Sequence, residues 1–388
     1  MDPLTLLTAF MAAFGVISAD AVLHSDTVHV HIALPADVAR SLPKDEVLEE
    51  VFIANMEEMV QTKSYFGKPS IQSGRAKTIG SVLAQALKVE DLATAIQHQF
   101  GMKVASVNAS FTNDGGKLQL MAVISDIDEP PFTQVIRRET DEPLKDMLSR
   151  SAEGIMEHLA PYLTAVYLLN EGDRTGRYDK ADRLIAAMLQ QYASSAFRKE
   201  RASALNLAGI VALHKNDIQG AEQDFIAANE ADPDLLIPQI NRAFVMLVTD
   251  HEQAALDLLD PVLTAARAKK DYTLLAAAEM TRAAVYMADS RVDYAEVALE
   301  NATYWDPTSS LVPGLWAEIE QVKGDETKAA ALRDRARDNL DSFETYPELA
   351  SLYFRLSWKK GEPLTRNDGK GAAPPARPVD GTAGQARP

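Results

Sequence analysis

The chain has 388 residues, with 39 Lys and Arg against 56 Asp and Glu and a formal net charge of −17. Such an excess of acid excludes a protein that grips nucleic-acid backbones, because that affinity comes from Lys and Arg neutralising phosphates. No cysteine is present, which excludes disulfides, thiolate zinc sites, iron–sulfur clusters and cysteine nucleophiles; with 46% hydrophobic and 24% charged residues, this is a globular chain long enough for two domains.

Residues 3–19 (PLTLLTAFMAAFGVISA) carry no charge. As a helix this run spans about 25 Å, slightly short of the roughly 30 Å hydrocarbon core of a bilayer. Residues 1–24 are therefore expected to form a hydrophobic anchor or an uncleaved export signal. Two alternatives stand beside it. One is a cleaved signal with a small-x-small site at Ala19-Asp20-Ala21, which Asp2 in place of a basic leader opposes; the other is a buried helix. No Lys or Arg precedes Arg40, so nothing basic holds the downstream side in the cytoplasm. The body is expected outside it, at the inner membrane or in the periplasm, with a cytoplasmic location as the alternative.

Residues 27–160 read as a small α+β domain. The stretch 27–34 (TVHVHIAL) alternates, with Val28, Val30 and Ile32 on one face and His29 and His31 on the other, the pattern of a half-buried strand. Pro43 opens a helix, along which Val47, Leu48, Val51, Phe52, Met56, Met59 and Val60 recur at helical spacing. Residues 64–81 read as an extended basic loop with Lys68, Arg75 and Lys77, and residues 90–99 as a helix capped by Gly101. Two β runs, 102–111 and 117–124, flank Asn113-Asp114-Gly115-Gly116, a hairpin turn that needs positive φ. A further strand is expected at 132–137 and a helix at 142–159. This order suggests a small antiparallel or mixed sheet with helices on one face.

Residues 162–358 repeat. Ala181, Ala221, Ala255, Ala295 and Ala329 are spaced by 40, 34, 40 and 34 residues. In the unit 202–235, Leu205, Gly209, Ala212, Ala221, Phe225, Ala228 and Pro233 occupy positions 4, 8, 11, 20, 24, 27 and 32. Unit 276–309 matches with Ala283, Tyr286, Ala295, Leu299, Ala302 and Pro307 at positions 8 to 32; units 162–195, 236–269 and 310–343 are weaker. The pattern has a physical basis: small residues at 8 and 20 let antiparallel helices touch, position 24 fills their junction, and a proline ends the second helix.

This pattern resembles the tetratricopeptide (TPR) repeat, with two departures. The aromatic residue at position 4 is missing, and six extra residues precede two of the units. The arrangement also resembles bacterial membrane-anchored proteins in which a small α/β domain is followed by TPRs. The expected fold is mainly α, a TPR-like α-solenoid preceded by a small α+β domain and an N-terminal hydrophobic helix. Residues 359–388, rich in Gly, Pro and Ala, read as a disordered tail.

A search for chemistry finds little. His24, His29 and His31 form H-x4-H-x-H, but the strand holds no carboxylate to orient the rings, so they read as a solvent-facing row rather than metal ligands. No P-loop, G-x-S-x-G or H-E-x-x-H occurs. The expected function is thus a non-catalytic scaffold or adaptor, without cofactor or metal, that binds another protein on a concave repeat surface. The resemblance implies that groove positions fall on Asn206, Ile210, Leu213, Ile240, Phe244, Leu247, Met280 and Met287. Ser203, Ile237, Ala277 and Ala284 complete the set. This apolar lining suits an apolar or amphipathic partner segment. The reading also leaves a homo-oligomer open. The alternative is an enzyme or small-ligand module in residues 27–160 around Lys68, Arg75 and Lys77, with the repeats recruiting a partner.

Overall fold

The structure, a computed structural model, describes residues 27–62, 64, 70–73, 105–125, 130–309 and 311–340. The chain divides into two compact units, residues 1–167 and 168–388. The hydrophobic N-terminal segment, the helix expected at 90–99, Lys68, Arg75, Lys77, His24 and the tail all lie outside the described residues.

The first unit holds strands β1 (Thr27–Ala33), β2 (Ser70–Ser73), β3 (Ala105–Asp114), β4 (Lys117–Ser125) and β5 (Phe132–Arg137), with helices α1 (Asp45–Gln61) and α2 (Leu144–Leu159). They form one five-stranded mixed sheet in the order β2-β1-β3-β4-β5. β1 is parallel to both β2 and β3, and β4 is antiparallel to both of its neighbours. Part of the segment read as a basic loop is therefore a strand. Four residues with a single large apolar side chain, Ile71, are too short for alternation to show, and pairing with β1 is what makes them a strand. The β3–β4 turn is as expected, with Gly115 and Gly116 at φ 58° and 86°.

Alternation decides which face of the sheet is filled. Val28, Val30, Ile32, Val107, Ala109, Phe111, Leu120, Ala122 and Ile124 all point inward and are buried. α1 covers them with Leu48, Phe52, Met56 and Met59, and α2 with Met147, Leu148, Ile155 and Met156. The core also holds one acid: Glu49 of α1 is buried, and its Oε2 accepts the Ile32 N–H at 3.2 Å, beyond the end of the β1–β2 pairing. A buried polar group needs such a partner.

Helices α3 (Pro161–Thr175), α4 (Asp179–Gln191), α5 (Arg198–His214), α6 (Ile218–Ala231), α7 (Ile237–Val248), α8 (Glu252–Lys269), α9 (Tyr272–Ala288), α10 (Val292–Trp305), α11 (Val312–Val322) and α12 (Glu326–Leu340) follow. The boundary between the units falls within α3, whose Leu163 still belongs to the sheet core. Successive pairs α5–α6, α7–α8, α9–α10 and α11–α12 pack as hairpins.

The repeat register is visible in the backbone. Gly176, Asn216, Asp250, Ser290 and Gly324 have φ of 71°, 63°, 61°, 57° and 85°, and each stands at the fifteenth position of its unit. There the first helix ends in a left-handed residue, which closes its last carbonyls: Asp217 N–H reaches Ala212 O at 2.8 Å, and Arg291 N–H reaches Tyr286 O at 2.8 Å. Glycine, Asn, Asp and Ser are small or bond locally, which keeps this conformation cheap. The six-residue insertions lengthen helices: α5 and α9 have 17 residues against 12 in α7.

Within the hairpins the small residues do what their spacing suggested. Ala181, Ala221, Ala255, Ala295 and Ala329 are all fully buried. At Gly209 a Cβ would lie 2.5 Å from the Phe225 ring. Gly209→Ala is therefore expected to destabilise the repeat unit by about 1–3 kcal/mol through overpacking, and Phe225→Leu in the same chain to recover part of that loss. Denaturant unfolding of the single and double variants measures both; additive losses would show that the ring is not the obstacle.

Candidate interaction surface

The eight residues expected to line an open groove are inside the protein. Asn206, Ile210, Leu213, Ile240, Phe244, Leu247, Met280 and Met287 are between 1% and 8% exposed, and Ser203, Ile237, Ala277 and Ala284 are buried with them. The reason is visible in the helix neighbours. α9 packs against α7, α8, α10 and α11, and α7 against α6, α8 and α9. A helix surrounded in this way is apolar on nearly every side, as α9 is from Leu274 to Met287. Asn206 also spends its amide internally, accepting from Asn241 Nδ2 at 2.8 Å and tying α5 to α7. These residues form an inner layer, and in this structure they do not offer a surface to a partner.

The second helices make the outer layer. α6 buries only Ala221, Phe225 and Ala228, and α10 only Ala295, Ala298, Leu299 and Ala302. Their remaining faces carry Glu222, Asp224 and Glu230, then Asp293, Glu296 and Glu300, with no Lys or Arg on either helix. Cations come from the following unit. Lys215 pairs with Asp182 and Lys323 with Glu296; Arg242 Nε lies 3.7 Å from Glu222, and Arg282 Nη2 lies 2.6 Å from Asp260. Each junction between units thus holds a charge pair running from the first helix, or the residue just after it, to the preceding second helix. Exposed pairs contribute roughly 0–1 kcal/mol each, so they favour one register more than they hold the stack.

Two aromatic groups stand out on the outside. Tyr272, at the start of α9, stacks on Trp305 with ring centroids 5.6 Å apart, and Trp305 meets Tyr304 edge-on at 4.8 Å. Tyr272 is 47% and Tyr304 73% exposed. Phe197, also exposed, rests against Tyr192 at 5.7 Å. Phe197 and Tyr272 both lie in the six-residue insertions, so the same segments that lengthen the first helices carry exposed rings. The sequence signal was those insertions, which mark longer helices or turns but not which of their rings stay exposed.

Other candidates have structural roles. Glu49 reaches one strand histidine from α1, with Oε2 3.6 Å from His31 Nδ1, a carboxylate that the strand itself does not contain. Among the described residues no three His, Asp or Glu side chains converge as metal ligands would. Nδ1 of His214, a buried ring, lies 3.2 Å from Asp173 Oδ1, and that same oxygen accepts from Tyr178 OH at 2.8 Å; the His214 and Tyr178 rings stack at 5.1 Å. Burial there pushes the Tyr178 hydroxyl well above the usual phenol range. This cluster pins α3, the start of α4 and the end of α5.

No helix among the described residues is long and apolar enough to cross a membrane. No family model matches the chain, and no curated protein matches it in sequence. Among solved structures, one described as the MamA RS-1 ArsTM double mutant is 19% identical, with the match covering 47% of this chain and 98% of that one at a TM-score of 0.31. A likeness of that size carries no argument, so the class rests on the chain's own geometry: helix hairpins in TPR-like register, with a small mixed α/β unit before them.

On the outer face, burial and the nearby Asp217 push the Asp224 carboxyl up to about 6 from 3.8. A carboxyl raised on folding costs stability once it ionises, so the penalty is absent below pH 4 and complete above pH 6. Asp224→Asn is expected to raise the melting temperature at pH 7, with the gain fading as the pH falls to 4. Melting curves at the two pH values check this; an equal gain at both would mean that charge is not the cause.

Proposed function

We propose that this protein is a TPR-family scaffold without catalytic activity, which binds a partner protein on the outside of the repeats at the Tyr272–Trp305–Tyr304 cluster. The observation that carries the reading is this exposed ring cluster on a repeat whose inner helices are already filled by the protein's own side chains. Tyr and Trp concentrate binding energy because they bury large area with few rotatable bonds, and anchors of this kind contribute about 2 kcal/mol or more each. Neighbouring second helices are acidic, so a segment with apolar anchors and flanking basic residues suits the surface.

The scaffold is anchored to a membrane through residues 3–19, with its body outside the cytoplasm. That placement follows from the uncharged run and the absence of early basic residues.

A photo-crosslinking residue at position 304 should capture a discrete partner in cells, and Trp305→Ala should reduce capture at least tenfold with little change in melting temperature. Undiminished capture by that variant overturns the assignment of the cluster. For location, a periplasm-active reporter fused after residue 30 should be active and sediment with membranes. Activity from a cytoplasm-active reporter alone would reverse the placement.

A further inference from the structure

We infer that β5 is a self-pairing edge, through which two copies of this chain join their sheets antiparallel about a two-fold axis at Gln134. β5 is the last strand in the sheet order, and among the described residues its outer edge pairs with nothing. Backbone polarity along it follows from the register. The tight turn makes Asp114 and Lys117 the closing pair of the β3–β4 hairpin, so odd-numbered residues of β4 face β3 and even-numbered ones face β5. The Arg138 N–H bond to Leu118 O at 2.9 Å continues that parity into β5. Thr133, Val135 and Arg137 therefore direct their N–H and C=O groups away from the sheet. One of these groups is already used: Arg137 O accepts from Arg150 Nη2 at 2.9 Å. Arg150 is itself held by Glu142 at 2.8 and 3.1 Å, and this pairing keeps the Glu142 carboxyl below the usual carboxylate range.

The edge thus offers three donors, on Thr133, Val135 and Arg137. Pro131, which precedes the strand, offers a carbonyl and no N–H. A two-fold axis at Gln134 sets Thr133 opposite Val135 of the second copy, and Arg137 opposite Pro131. Every free donor then meets a free acceptor: Thr133 N–H with Val135 O, Val135 N–H with Thr133 O, Arg137 N–H with Pro131 O. The two groups that cannot take part, the carbonyl bound by Arg150 and the missing proline donor, face each other. Moving the axis to Val135 would set Thr133 N–H against the occupied Arg137 carbonyl.

Side chains agree with this register. Val135 is 51% and Phe132 38% exposed, and the axis sets Val135 against Thr133 and Phe132 against Ile136. Arg137 and Arg138 face prolines rather than each other. Gln134 stands on the axis with its Oε1 buried and without a hydrogen-bond partner, and the amide of Gln134 from the second copy comes directly opposite. Usual protections of an edge are sparse here: Phe132–Arg137 has no Lys, Pro or bulge, and its one charged side chain, Arg137, stands at the end of the strand.

The chain has no cysteine, so engineered thiols report the register cleanly. Thr133→Cys and Val135→Cys chains, each full length, should form a thiol-reversible dimer on mild oxidation several-fold faster when mixed than when either is alone. Light scattering of the parent chain should show a dimer that grows with concentration, and Val135→Pro, which removes one outward N–H, should reduce it several-fold with its circular dichroism retained. A monomer at every concentration, or mixed thiols that crosslink no faster than single ones, overturns the inference. A dimer that Val135→Pro leaves intact overturns it as well.

Discussion

Everything in the repeat region depends on how closely two helices of one hairpin approach. Gly209 has no Cβ because the Phe225 ring occupies that space, and the buried alanines at the corresponding sites do the same work more mildly. Close approach brings the first helices into contact with four neighbours at α9. Once that happens, the apolar side chains along the middle of such a helix are enclosed, as they are from Leu274 to Val285 of α9. Interiors pack at nearly crystalline density, so an inner layer this full leaves no groove at Phe244 or Met280. The exposed rings of the repeats, Phe197, Tyr272 and Tyr304, stand instead at the ends of the helices.

The left-handed residue at the end of each first helix is the second constraint. It reverses the chain in three residues, which sets the second helix antiparallel and close. Asp217 and Asp325 then cap the second helices that follow, accepting from Gly220 and Lys328 N–H groups at 2.9 and 3.0 Å, and Asp271 caps the first helix α9 in the same way through Leu274 N–H at 3.1 Å. Acid is thereby concentrated at helix starts and on second helices, where the partial positive charge of a helix N-terminus favours it. Cations reaching across from the next unit neutralise part of it. The second helices α6 and α10, which carry no Lys or Arg of their own, keep an acidic outer face.

The first unit follows a different rule. Its sheet is filled on one face by α1 and α2, and its two edges are unequal. β2 closes one side with four residues, and Glu49 takes over the next β1 donor. The β5 side is a full six-residue strand, trimmed only where Arg150 binds the last carbonyl. Gly154 allows Gln134 to lie against α2, since a Cβ there would fall 2.1 Å from its amide. Strand and helix are thus fitted to each other along their inner side, while the outward backbone groups other than the Arg137 carbonyl stay unspent.

Periodicity alone determined most of the secondary structure: the alternation of 27–34, the glycine turn at 115–116, and alanines recurring at 34 and 40 residues. Such patterns are local, and each needs only one chain segment and a knowledge of which face it shows. Position fifteen emerged only with the backbone, where Gly176, Asn216, Asp250, Ser290 and Gly324 share positive φ. What the sequence could not determine was which apolar faces stay open. Ile240 and Phe244 look the same whether they line a groove or a core, because exposure depends on how many neighbours surround a helix. The same holds for β2, a strand only by virtue of β1, and for Glu49, which meets His31 from 18 positions along the chain. Tertiary structure decided these points because burial and pairing are properties of several segments at once, and no single segment carries them.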